Sequence, residues 1–236
     1  MKLTLLDAVW FVNVWLLEDE GRRFIIDSGH ALERPLLNRA LRRAGIKPGD
    51  LTAVILTHRH SDHAGNARWI RDKFRCPVIC HASDARVLSG AEPAPPLSRR
   101  GAALHEDILC RFEDVFPARS PVDDTFDKAG TWKWGFDIIP TAGHTAGSVM
   151  LYHAPSASLF SGDAILASPM LLRSVEGLRP AKTGFSLDTE ACHRAVDRYL
   201  DVMPRIDTLC AGHGPAVRHG VREKLLDVRS RMLKSA

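Results

Sequence analysis

Thr57-His58-Arg59-His60-Ser61-Asp62-His63-Ala64-Gly65-Asn66 packs His58, His60, Asp62 and His63 into six consecutive positions, a density of metal-binding side chains that packing alone seldom produces. In an extended segment alternate residues share a face, so His58 and His60 point at one ion while Asp62 and His63, past a turn, serve another. A solvated, histidine-rich surface turn is the plain alternative. It fails to explain why Ala53-Val54-Ile55-Leu56, an apolar run that reads as a core strand, delivers the cluster.

Three further apolar runs end the same way: Phe136-Asp137-Ile138-Ile139 before His144, Leu159-Phe160 before Asp163, and Thr208-Leu209-Cys210 before His213. Layered α/β architectures gather functional groups on loops at one sheet edge, where residues distant in sequence converge without strain. Strands then helices, twice over, predict two sheets packed face to face and covered outside by helices.

In order, T-H-R-H-S-D-H from Thr57, G-H-T-A-G-S from Gly143, S-G-D from Ser161 and A-G-H-G-P from Ala211 resemble the full motif series of the metallo-β-lactamase superfamily. Val12-Asn13-Val14-Trp15-Leu16-Leu17 and Phe24-Ile25-Ile26-Asp27-Ser28-Gly29 also resemble that family's first hairpin, leaving the stretch from about Gly90 to Lys128 outside the likeness. The resemblance implies an α/β fold, a four-layer αββα sandwich of two mixed β-sheets with outer helices, formed as one domain over residues 1–236. It also implies that His58, His60 and His144 hold a first metal, that Asp62, His63 and His213 hold a second, and that Asp163 bridges them together with a water or hydroxide. Imidazole and carboxylate without thiolate suit two divalent ions, zinc first, with iron or manganese as alternatives. Water on such a centre loses its proton near neutral pH and attacks a carbonyl carbon or phosphorus. Asp62 is the catalytic candidate, orienting that nucleophile and passing its proton to the leaving group. Cys210, close before His213, reads as apolar filler at a strand end.

With 236 residues, 45% of them hydrophobic, the chain is long enough to bury a core without external staples. Five cysteines, an odd number without framework spacing, point to a reducing compartment. Cys76 and Cys80 flank an apolar strand and lack the pair-of-pairs pattern of structural zinc. The N-terminal Met1–Asp7 lacks the sustained apolar core of a secretory signal, and no later run approaches membrane-spanning length, so the expectation is a cytoplasmic protein without membrane association. The formal net charge of +4 is modest. Arg68, Arg71, Lys73 and Arg75 read as a solvated helix face, with Trp69 and Phe74 as core anchors, so no nucleic acid partner is expected.

Periodicity predicts strands near 3–6, 12–18, 22–27, 52–56, 77–80, 132–139, 148–153, 158–162 and 207–210. Helices are expected at 34–44, opened by Pro35 and stopped by Gly45, at 66–75, at 189–202, and at the C-terminus with Val221, Leu225, Val228 and Met232 on one face. The 90–128 stretch, with an amphipathic piece containing Leu104, Ile108, Leu109 and Phe112, reads as a lid or as an interface insertion that forms a homodimer contact. Arg173, Arg179 and Lys182, behind Asp163, are placed to hold a substrate carboxylate or phosphate, against the plainer reading of solvated charges. His30, His81, His105, His153, His193 and His219 read as surface or satisfied core residues, with donation to a metal-binding carboxylate as the alternative for His81.

Within the superfamily, hydrolysis of a small-molecule ester, thioester or lactone ranks first. The short tail from Gly214 to Ala236 argues against a glutathione thioesterase of the usual form. A lactonase of the acyl-homoserine-lactone kind fits the size, although Ala164-Ile165-Leu166 stands where its tyrosine is expected. A phosphodiesterase or nuclease, a mononuclear iron persulfide dioxygenase and a non-catalytic metal-binding scaffold are the alternatives. True β-lactamases of the family generally lack a carboxylate at the position of Asp163, which argues against penicillin cleavage.

Overall fold

The computed structural model describes residues 1–6, 12–98, 104–168 and 177–234, and its contacts divide into two compact units. The first comprises Met1–Ala94 and Phe116–Asp127, the second Pro95–Val115 and Lys128–Ala236.

The first unit is built on a six-stranded mixed sheet: β1 (Lys2–Leu5), β2 (Trp15–Asp19), β3 (Arg22–Ile26), β4 (Ala53–Ile55), β5 (Val78–His81) and β6 (Asp124–Phe126), in that spatial order. β1 to β3 pair antiparallel, and β3 to β6 parallel. Phe24, Ile25, Ile26, Ala53, Val54 and Ile55 are all buried, the continuous apolar pattern of strands covered on both faces. One face carries Ile25, Val54 and Val78 against α1 (Arg34–Arg43) and α3 (Ala67–Phe74) through Leu37, Leu41, Ile70 and Phe74. Each such side chain stabilises the unit by about 1.5–3 kcal/mol on leaving water. Pro35 lies in the first turn of α1, and Gly45 at φ +72° follows its end, so the start and stop signals act as the sequence reading expects. Trp69 packs half-buried beside Phe74, whose ring is in the core.

The second unit has a five-stranded mixed sheet in the order β13-β10-β9-β8-β7, formed by β7 (Gly130–Thr131), β8 (Phe136–Pro140), β9 (Val149–His153), β10 (Ser158–Gly162) and β13 (Thr208–Ala211). A small ribbon, β11 (Ile165–Leu166) with β12 (Arg179–Pro180), stands beside it in sequence. α6 (Thr189–Val202) and α7 (Val221–Lys234) bury Val196, Leu200, Leu225 and Val228 in a core with Met150, Leu159 and Leu209. Asp188 caps α6, its carboxylate accepting from Ala191 N at 2.9 Å.

Three local expectations change. The strand expected over 132–139 begins only at Phe136, because Trp134 sits at φ +57° in a tight turn over Lys133–Gly135 that separates β7 from β8. The stretch from 90 to 128 holds α5 (Leu104–Val115) and the edge strand β6, so part of it extends the first sheet. Two short helices escape the periodicity reading, α2 (Ser61–Ala64) within the ligand run and α4 (Ala82–Leu88) directly after β5.

Candidate metal centre

In the first unit, the buried β4 projects Thr57 to His63 from its C-terminal end. His58 and His60 lie on alternate positions, as the spacing predicts, and His58 Nε2 stands 3.1 Å from His60 Nδ1. Two ligands of one tetrahedral zinc, each about 2.0–2.1 Å from the ion, stand roughly 3.3 Å apart, so this separation fits shared ligation. The α2 turn then places Asp62 and His63 side by side, with Asp62 Oδ2 3.8 Å from His63 Nε2. His63 is fully buried and its ring centroid lies 4.0 Å from that of His58.

Asp27, which the sequence reading passed over, organises this group. Its carboxylate accepts from Thr57 N at 2.8 Å, from Thr57 Oγ1 at 2.9 and 3.0 Å, and from His63 Nδ1 at 2.8 Å. A carboxylate only accepts, so His63 carries its proton on Nδ1 and presents the Nε2 lone pair. Thr57 spends its hydroxyl proton on Asp27 and therefore accepts from His58 Nδ1 at 3.1 Å, which likewise leaves Nε2 of His58 as the donor to a metal. Asp27 holds φ +58°, a left-handed conformation that costs a non-glycine residue about 1–3 kcal/mol. Its hydrogen bonds over-determine that geometry. The available signal was an apolar strand, Phe24-Ile25-Ile26, ending in a buried acid two residues before Gly29.

A second clamp fixes the far end of the run. Asn66 Nδ2 donates to the carbonyls of Ser28, Gly29 and His30 at 3.0, 3.2 and 2.8 Å, while Ser28 N and Oγ donate to His63 O at 2.6 and 2.8 Å. Gly65 has no room for a side chain, since a Cβ there would collide with Ser61 O and Ala31 N.

In the second unit, His144, Asp163 and His213 stand beyond the ends of β8, β10 and β13 and are all buried. Asp163 Oδ2 lies 3.3 Å from His213 Nε2 and 3.7 Å from His144 Nε2, one carboxylate oxygen between two imidazoles. Ser186 Oγ donates to Lys182 O at 2.6 Å, so it accepts from His144 Nδ1 at 3.0 Å and directs Nε2 of His144 towards Asp163. Gly143 permits this approach: its carbonyl accepts from Leu187 N and Asp188 N at 2.9 and 2.8 Å, and a Cβ would strike Asp188 O and Cys192 N. Gly212 N to Gly162 O at 2.8 Å and Ala167 N to His213 O at 2.9 Å strap the Asp163 and His213 turns together. Nothing in the sequence near Ser186 signalled its partner 42 positions away.

Within each unit the expected ligands thus lie together. Their donors are imidazole and carboxylate atoms, a set that divalent zinc, iron or manganese accepts. The other histidines do different work. His81 is satisfied locally, in line with the plainer reading: it caps α4, its Nδ1 accepting from Ser83 N at 3.1 Å. His30 accepts from Leu32 N, His153 pairs with Ser156 Oγ, His193 Nε2 meets Ala181 O, and His219 is exposed. The His105 side chain and Arg173 lie outside the described residues, whereas Arg179 is exposed and Lys182 half-buried. None of the five cysteines forms a disulfide, and all are buried. Burial pushes the Cys76 thiol up to about 11, which keeps it protonated at neutral pH. Among the described residues, no helix is long and apolar enough to cross a membrane.

A family model described as Metallo-beta-lactamase superfamily matches residues 7–213. A probable metallo-hydrolase of Bacillus subtilis (strain 168), YflN, is 27% identical over 249 aligned positions, covering 95% of this chain and 89% of that protein. A hydroxyacylglutathione hydrolase of Photorhabdus laumondii is 28% identical over 167 positions, covering 71% of this chain and 52% of its own length. Among solved structures, TTHA1623 in a di-iron-bound form superposes with a TM-score of 0.61 at 24% identity, covering 94% of this chain and 93% of that one, which shows a common fold.

Proposed function

This chain belongs to the metallo-beta-lactamase superfamily of metallo-hydrolases, and from that premise we propose that it is a binuclear enzyme cleaving a small-molecule ester, thioester or lactone. His58, His60 and His144 take one divalent ion, Asp62, His63 and His213 take the other, and Asp163 bridges the two. The observation that carries the proposal is the Asp163 carboxylate, whose one oxygen faces both His144 and His213, residues assigned to different ions. The ions, when bound, supply a nucleophile generated from water and polarise the bond to be broken.

The protein's own groups set the geometry. Asp27, Thr57 and Ser186 each fix the tautomer of one histidine, so no reorientation is needed when a ligand arrives. Asp62, with its side chain 24% exposed, is the most accessible of the set and is assigned to orient the attacking water and carry its proton to the leaving group. Ala164, Ile165 and Leu166 are buried after Asp163, so this segment offers no phenol to stabilise charge on the departing atom. Thioester cleavage draws support from the relative named a hydroxyacylglutathione hydrolase. Zinc is proposed, and the di-iron form of TTHA1623 makes iron the alternative to measure. Five buried cysteines without a disulfide support a reducing, cytoplasmic setting.

The test combines elemental analysis of anaerobically purified protein with turnover of chromogenic esters, thioesters, lactones and phosphodiesters before and after chelation. Two ions per chain and chelator-sensitive acyl hydrolysis are expected. A single iron with oxygen uptake on a persulfide, preferential phosphodiester cleavage, or metal binding without turnover would each replace the reading, by a dioxygenase, a nuclease-like enzyme or a scaffold respectively.

A further inference from the structure

α5 carries its amphipathicity inside out. The buried side of the helix presents Cys110 and Glu113, whereas Leu104, Ile108, Phe112 and Val115 form a stripe that is 79, 57, 46 and 67% exposed, with Leu109 beside it at 38%. A helix normally turns such a stripe inward.

The helix is fastened to its own unit by its polar side. Cys110 Sγ lies 3.6 Å from Gly184 O, Asp114 Oδ1 accepts from Leu97 N at 3.0 Å, and Ser98 N donates to Ser186 O. These contacts seat α5 against the segment that also supports His144 through Ser186, so the apolar stripe is the outer face of an anchored element.

We propose that this face is a self-association surface, occupied by α5 of a second copy of the chain in an antiparallel, two-fold arrangement. The area agrees: at roughly 180 Å² for a fully exposed large apolar residue, the stripe offers about 500 Å². A standard interface buries about 800 Å² per partner, of which about 56–65% is apolar, nearly the same quantity. The spacing agrees as well. Residues 104, 108 and 112 recur every fourth position, and a two-fold axis at the level of residue 110 sets Ile108 of each copy against Phe112 of the other. Charge does not oppose the pairing, because Arg111 on the flank is neutralised by Asp107 at 2.8 Å and two identical faces meet without like-charge repulsion.

The experiment is sedimentation equilibrium of the full chain over a dilution series, with the variants I108E/F112E and I108K/F112K, each checked by circular dichroism for an unchanged fold. Wild-type protein is expected at twice the 26.1 kDa chain mass, either variant alone at 26.1 kDa, and an equimolar mixture of the two back at the doubled mass. Wild-type protein that stays monomeric throughout overturns the proposal without reference to any variant. A dimer that survives in both variants places the interface elsewhere and overturns it too. Monomeric wild-type protein that co-floats with anionic phosphatidylglycerol vesicles would give the face to lipid instead.

Discussion

The two units bring metal-binding side chains to strand ends by opposite means. In the first, four of them come from one run behind β4, braced by a buried carboxylate, Asp27, and clamped by Asn66. In the second, His144, Asp163 and His213 come from three separate turns, braced by a neutral hydroxyl, Ser186, and by glycines that let backbones touch. A contiguous ligand run needs one strong brace because its members already share a loop. A dispersed set needs many weak ones, because each turn must be positioned against the next.

That contrast can be broken most forcefully at Asp163. Asp163→Ala should lower the metal content of both sites and reduce turnover by at least about 10³-fold, through loss of the shared ligand. Elemental analysis reads it directly, and undiminished occupancy would refute the bridging assignment.

Comparing the braces gives the next largest effect. Asp27→Asn should weaken metal affinity by about 100-fold, since it removes the charge that His63 and Thr57 both address, while Ser186→Ala should cost only about 10-fold and act through His144 alone. Zinc titration against a competing chelator separates the two. Equal losses would mean that carboxylate and hydroxyl do the same work.

Packing provides the third. Gly65→Ala in the first unit and Gly143→Ala in the second both force a Cβ onto backbone atoms, and each should destabilise by about 1–3 kcal/mol in urea melts of the metal-free protein. A neutral Gly143→Ala would show that the His144 turn does not depend on its close approach to α6.

The smallest effect concerns pH and the first unit alone. Arg71 meets Asp123 through two hydrogen bonds of 2.6 and 2.8 Å and, with Val78 N also donating to it, holds that carboxyl below the usual carboxylate range. A depressed folded value contributes stability that is present above the ordinary carboxylate pKa and is lost as pH falls through the depressed one. Arg71→Ala should therefore soften the acid limb of the stability profile slightly, since the pair is well solvated. A thermal-melt series from neutral to acid pH checks it, and an unchanged limb would leave the pair without a role.

How much was legible from sequence follows the same division. The run from His58 to His63 announced itself by density, and the bounds of α1 by Pro35 and Gly45. Asp27 was in view as the end of an apolar strand, yet its role required knowing that β3 and β4 are parallel neighbours, which brings Asp27 N to Ile55 O. Ser186 was not legible at all, because its partner is fixed by how the 182–187 segment folds back onto the His144 turn. β6 escaped because an edge strand of three residues, Asp124-Thr125-Phe126, has neither the length nor the alternation that marks a strand. The length of the 132–139 strand was overestimated because a left-handed tryptophan, Trp134, carries no warning in its side chain.

The most direct measurement is an anomalous-scattering map of crystals of the metal-loaded protein, collected above and below the absorption edge of the bound element. Two peaks are expected, one on His58, His60 and His144, the other on Asp62, His63 and His213, with Asp163 between them. A lone peak, or peaks that engage the residues of only one unit, would contradict the proposed binuclear reading.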